Sequence, residues 1–156
     1  MCVPSTCFAD DSSGLGNVLS ATTDGSKLIL TVASKSGNPD KLTIDVCKDN
    51  ILRVDYQPNS VAESPDTPMI DPNLSWDAVG ATIDTAADPI TVTTADMRIE
   101  IAKEPCRMTV QKADGTTLFW EPSSGGVFDD GVRFVRASSS NMYGIHSYDC
   151  FSSNGE

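Results

Sequence analysis

The chain has 156 residues, enough to bury a substantial core in one domain, with 39% hydrophobic and 21% charged residues. Eleven Lys and Arg stand against 22 Asp and Glu, for a net charge of -11. That balance supplies no clustered cations for a phosphate backbone and disfavours polyanions, but it is compatible with neutral sugars. No apolar run approaches the roughly 18–20 residues of a membrane span, so neither nucleic acid nor a membrane is an expected partner.

Residues 1–16 are rich in Ser, Asp and Gly and lack periodicity; they read as a flexible lead-in, with residues 17–156 as a single domain. After the Asp24-Gly25 turn signal, Leu28, Leu30 and Val32 alternate. Leu42, Ile44 and Val46 repeat the pattern, and Leu52, Val54 and Tyr56 repeat it again. Stripes at this spacing predict an antiparallel meander with one buried face. Residues 57–72 carry Pro58, Pro65, Pro68 and Pro72 and read as a loop or a connection between sheets rather than a domain boundary, because strand patterning resumes beyond them. Strands are then predicted at 90–94, 97–101 and 106–110. A hairpin turn at Ala113-Asp114-Gly115-Thr116 leads to Leu118-Phe119-Trp120, and a last strand covers 132–136. No segment sustains a 3.6-residue apolar stripe, so the predicted fold class is an all-β antiparallel sandwich.

The cysteines, Cys2, Cys7, Cys47, Cys106 and Cys150, are odd in number and form no CxxC or Cys/His cluster. A zinc site is not expected, nor is any cofactor. Cys47, Cys106 and Cys150 read as small buried hydrophobes in strands, while the state of Cys2 and Cys7 is left open. No signal peptide follows Met1. The compartment stays open, with a secreted or periplasmic one favoured if a leader has been removed.

The terminal segment Ser140–Cys150 gathers Tyr143, His146, Tyr148 and Asp149 behind the β-patterned region. His146 is the only histidine, so a Ser-His-Asp triad would need it together with Ser140, Ser147 or Ser152; no Gly-x-Ser-x-Gly elbow is present. It reads more simply as a hydrogen-bonded loop residue. Asp10/Asp11, Asp129/Asp130 and Asp149 with Glu156 are the carboxylate pairs, and adjacent acids in Gly-rich stretches are usually solvated turn formers. Aromatic faces offer another route, since sugars stack on rings. Trp120 closes an apolar strand and is expected in the core. Trp76, Tyr148 and Asp149 are the candidate carbohydrate-binding residues; no catalytic or metal-binding residue is assigned.

In order along the chain, Ile51-Leu52-Arg53-Val54-Asp55-Tyr56-Gln57-Pro58, then 90–101, 105–110 and Asp114–Leu118, and finally Met142-Tyr143-Gly144-Ile145, resemble the strands of the N-terminal domain of glycoside hydrolase family 31. The likeness spans roughly residues 26–150. It implies a galactose-mutarotase-like β-sandwich ahead of a (β/α)8 barrel that cleaves or transfers α-linked glycosyl units with retention. Both catalytic aspartates of the family lie in that barrel. The resemblance therefore implies a non-catalytic domain truncated from a larger multidomain enzyme. Its partner is the barrel of the parent chain, with an α-linked oligosaccharide bound in the intact enzyme. Where the family signature continues with Gly-Glu, this chain has His146-Ser147, so no role of that Glu is carried over and a different substrate subgroup is implied. The alternatives are an autonomous carbohydrate-binding module, with Trp76 or Tyr148 as its platform, and a structural sandwich without a ligand.

Overall fold

The computed structural model describes residues 14–61, 79–123, 125–128 and 131–137. Strands β1 (Val18–Asp24), β2 (Lys27–Val32), β3 (Asp40–Lys48) and β4 (Ile51–Gln57) form a four-stranded antiparallel meander in chain order. Its register follows from the alternating apolar residues. Leu28 lies opposite Ile44 and Leu30 opposite Leu42, so all four share one face, and Leu52, Val54 and Tyr56 on β4 continue those rows.

The next strands are β5 (Thr82–Asp84), β6 (Ile90–Thr93), β7 (Met97–Lys103), β8 (Cys106–Lys112) and β9 (Thr117–Trp120). The β8–β9 hairpin turns where the Asp-Gly signal predicts. Gly115 adopts φ +86°, in the left-handed region that favours glycine, and the Lys112 amide donates to the Thr116 carbonyl at 2.9 Å.

The expected single strand at 132–136 is instead divided between two sheets. Its first part belongs to β11 (Gly131–Arg133), which pairs with β10 (Gly126–Phe128) in a two-stranded sheet, and its second is β12 (Val135–Arg136), which pairs with β9. Phe134 falls between them, and its ring meets Phe119 at a centroid distance of 5.4 Å. The larger sheet thus runs β12-β9-β8-β7-β6-β5.

The inner faces of the two large sheets enclose one core. Leu28, Leu30, Val32 and Ile44 from the smaller sheet meet Ile90, Val92, Ile99 and Ile101 from the larger, all buried in a continuous cluster. A polar staple joins the layers at one end: the Thr94 hydroxyl donates to the Asp49 carbonyl at 2.6 Å and accepts the Met97 amide at 2.9 Å. Cys47 and Cys106 are buried free thiols, as the sequence predicts.

Trp120 departs from expectation. Phe119 pairs with Val110, which faces the core, so the period of two turns Trp120 outward; it is 37% exposed. The apolar run Leu118-Phe119-Trp120 does not by itself reveal which of its members points inward.

Candidate functional site

Trp76, Tyr148 and Asp149 lie outside the described residues, as do Tyr143, His146 and the Asp129-Asp130 pair. The described part of the molecule determines how the chain departs toward the stretches that carry them. Both departures are pinned by buried acids.

The first is the end of β4. Asp40 opens β3 on the core side, and an acid is tolerated there because both carboxylate oxygens are occupied. One accepts the Tyr56 hydroxyl at 2.9 Å and the other the Asn59 amide at 2.8 Å. Asn59 and Ser60 sit in a 3-10 turn (Pro58–Ser60) at φ +53° and +57°, the left-handed region that non-glycine residues seldom occupy. Side-chain bonds hold them there: the Ser36 hydroxyl donates to Asn59 Oδ1 at 2.7 Å, and the Ser60 hydroxyl donates to the Pro39 carbonyl at 2.8 Å. Residues 62–78, with Trp76, follow Val61 from this anchored point.

The second lies where β9 ends. Arg107 spreads its guanidinium over four carbonyl oxygens. Nη1 donates to Leu15 at 2.8 Å and Cys106 at 2.6 Å, Nε to Pro122 at 3.1 Å and Nη2 to Ser123 at 3.1 Å. Glu121, one residue beyond the outward Trp120, turns back inside and is 8% exposed. Its Oε2 accepts the Met108 amide at 2.8 Å, and its own amide donates to the Met108 carbonyl at 2.9 Å. Gly126, at φ +97°, passes over the pair; a Cβ there would lie 3.2 Å from Glu121 Oε2 and 3.4 Å from Arg107 Cδ. The lead-in joins the same knot. The Leu15 amide donates to the Val127 carbonyl at 3.1 Å, and the Gly16 carbonyl accepts the Cys106 amide at 2.8 Å. Residues 14–16, 106–108, 121–123 and 125–127 therefore meet at one place, ahead of β11 and β12.

The electrostatics of this knot are those of a buried acid. Burial pushes the Glu121 pKa up, while the Met108 amide and the Arg107 charge pull it the other way. The neighbouring Cys106 thiol is pushed up to about 12, by burial first and then by the Glu121 charge, against Arg107. It stays protonated at neutral pH and is not a nucleophile or a metal ligand there. A carboxylate with a raised pKa resembles a general acid, but this one is enclosed and bonded to the backbone, so its role is to fix the loop. Among the described residues, no group of three or more His, Cys, Asp or Glu is placed to hold a metal ion. Sequence reasoning passed over Arg107 and Glu121. The one available signal was parity, since an acid directly after an outward Trp faces the core and needs a partner.

Residues 41–149 match the model of the glycosyl hydrolase 31 N-terminal galactose mutarotase-like domain. A 1,6-alpha-glucosyltransferase from Sporosarcina globispora is 56% identical over 145 residues, which is 92% of this chain and 11% of that protein. This chain thus spans about a tenth of that relative's length. Among solved structures, the cycloalternan-forming enzyme from Listeria monocytogenes, in complex with a pentasaccharide substrate, is similar with a TM-score of 0.56 and 30% identity over 69% of this chain and 9% of that one. A family 31 dextranase from Flavobacterium johnsoniae, complexed with isomaltotriose, shares the fold with a TM-score of 0.63 at 20% identity, over 78% of this chain and 15% of that one. The register, the sheet order and these likenesses converge: the chain belongs to the family of N-terminal galactose mutarotase-like domains of glycoside hydrolase family 31.

Proposed function

We propose that this chain is a non-catalytic supporting domain of a retaining α-glycosidase or transglycosylase. It packs against a (β/α)8 barrel and helps to shape the barrel's sugar pocket. The reading takes residues 17–156 as the sandwich unit and Trp76, Tyr148 and Asp149 as its contributions to the sugar site. The observation that carries it is the 56% identity to a glucosyltransferase of which this chain spans only 11%.

The edge of the smaller sheet supports the docking role. Val54 is opposite the fully buried Ile44 and faces the core side, yet it is 40% exposed, and Leu52 and Tyr56 in the same row are only partly buried. An apolar row left partly uncovered on the last strand of the described sheet is the kind of surface that a second domain covers. Two measurements test the proposal. The isolated chain should release no aryl group from an aryl α-glucoside, and turnover by it would refute the non-catalytic assignment. In the full-length enzyme, amides of β4 should exchange more slowly than in the isolated chain, and Val54→Asp should lower thermal stability and turnover together. Equal exchange in both forms would exclude docking through this edge.

A further inference from the structure

The outer face of the larger sheet carries a row of residues that neither the family assignment nor the docking role uses. Direct pairings connect Val135, Trp120, Thr109, Glu100, Thr91 and Asp84 across all six strands. Their neighbours along the strands, Phe119, Val110, Ile99 and Val92, pair in the same order and point into the core, so this row faces away from it. Trp120 is the one aromatic ring among the described strand residues of that face. It is 37% exposed and stands between Val135 and Thr109 on the adjacent strands.

We infer that Trp120 and the row beside it form a binding platform for a neutral α-linked gluco-oligosaccharide, an assignment that does not draw on Trp76, Tyr148 or Asp149. The ligand class rests on the α-glycoside-processing reading above; the place and the residues rest on the sheet. Strands lie roughly 4.8 Å apart, so Thr109 stands one spacing from the indole and Glu100 two. A sugar ring stacked on Trp120 leaves the next units of its chain over the hydroxyl and the carboxylate. The Arg98 Nε donates to Glu100 Oε1 at 2.9 Å. The pair cancels its own charge and keeps further donors and acceptors for vicinal hydroxyls. An internally neutral pair flanked by Thr109 and Thr91 suits an uncharged polyol, and Asp84 stands beyond it at the far end of the row.

The test is a titration of the full chain with isomaltopentaose, followed by amide chemical shifts and indole fluorescence. Saturable shifts are expected on β7, β8 and β9, with quenching of Trp120. Trp120→Ala should abolish the response, and Glu100→Gln should weaken it by roughly tenfold, as loss of a charged hydrogen-bond partner does. Glu100 is partly exposed, at 29% of its side chain, and outside the core, so this variant decides the matter even if Trp120→Ala fails to fold. No shift, shifts confined to residues 138–156, or an unchanged response in Glu100→Gln would each overturn the platform. Slow exchange of this face only in the full-length enzyme would do the same, since another domain would then be its occupant. None of these results bears on the non-catalytic role, which is decided by turnover and by β4 protection.

Discussion

Two side chains, Arg107 and Glu121, determine how the lead-in, the start of β8 and the loop after β9 are held together, and each does so through backbone partners. For Glu121 the consequence is measurable. Glu121→Ala leaves the buried Met108 amide without its acceptor and is expected to cost about 1–3 kcal/mol. Glu121→Gln keeps an acceptor oxygen and should cost less. The pH dependence separates the two effects. Because burial raises the folded-state pKa of Glu121, the folded chain binds its proton more tightly than the unfolded chain does. This group's contribution to stability is therefore greatest below the ordinary carboxylate pKa, and it is lost as pH rises through the raised value. Denaturant midpoints measured across that window should fall with pH for the wild type and vary less for Glu121→Gln. An identical slope in both would assign the pH dependence to other groups. Neither Arg107 nor Glu121 is conspicuous in the sequence, because the partners that give them meaning are carbonyls and amides, which every residue possesses.

Elements divide by how much of their surface is buried. The alternation in β2, β3, β7 and β8 is readable because each has one face in the core, and those strands stand where the alternation predicts. β1 and β5 escape such a reading. They are sheet edges, with no fully buried residue in either, so no apolar period marks them. The break between β11 and β12 is also invisible in Val132–Arg136, since the choice of partner strand depends on β10, a short strand that begins at Gly126. That glycine carries a prediction for the loop it opens. Gly126→Ala places a side chain at φ +97° and presses it toward Glu121 and Arg107. The expected cost is about 1–3 kcal/mol, read as a lower urea midpoint with an unchanged slope. Gly80, at whose Cβ position nothing lies within 4 Å, serves as the control: Gly80→Ala should be near neutral.

At the scale of the molecule, the cluster that joins both large sheets makes them thermodynamically inseparable, and this can be tested without touching any proposed site. Ile44 belongs to the smaller sheet and Ile99 to the larger; both are fully buried in the same cluster. Truncating either to Val removes one methylene and should cost about 0.5–1.5 kcal/mol. That is small enough to leave a domain of this size folded, given a total stability of about 5–15 kcal/mol. Were the sheets separate folding units, Ile44→Val would shift only the part of the circular-dichroism transition due to β1–β4 and leave unchanged the transition of the Trp120 indole, which lies on β9 and is read apart from Trp76 by its own Nε1–H resonance. A shared core requires the opposite. Each variant should move the far-ultraviolet and the tryptophan transitions together, by equal amounts and with unchanged steepness. Each large sheet buries its apolar face mainly against the other, with Leu15 and Val127 completing the cluster, so neither keeps a comparable surface on which to remain folded alone. Divergence of the two transitions in either variant would show that the sandwich is held by its separate hairpins, not by the core between them.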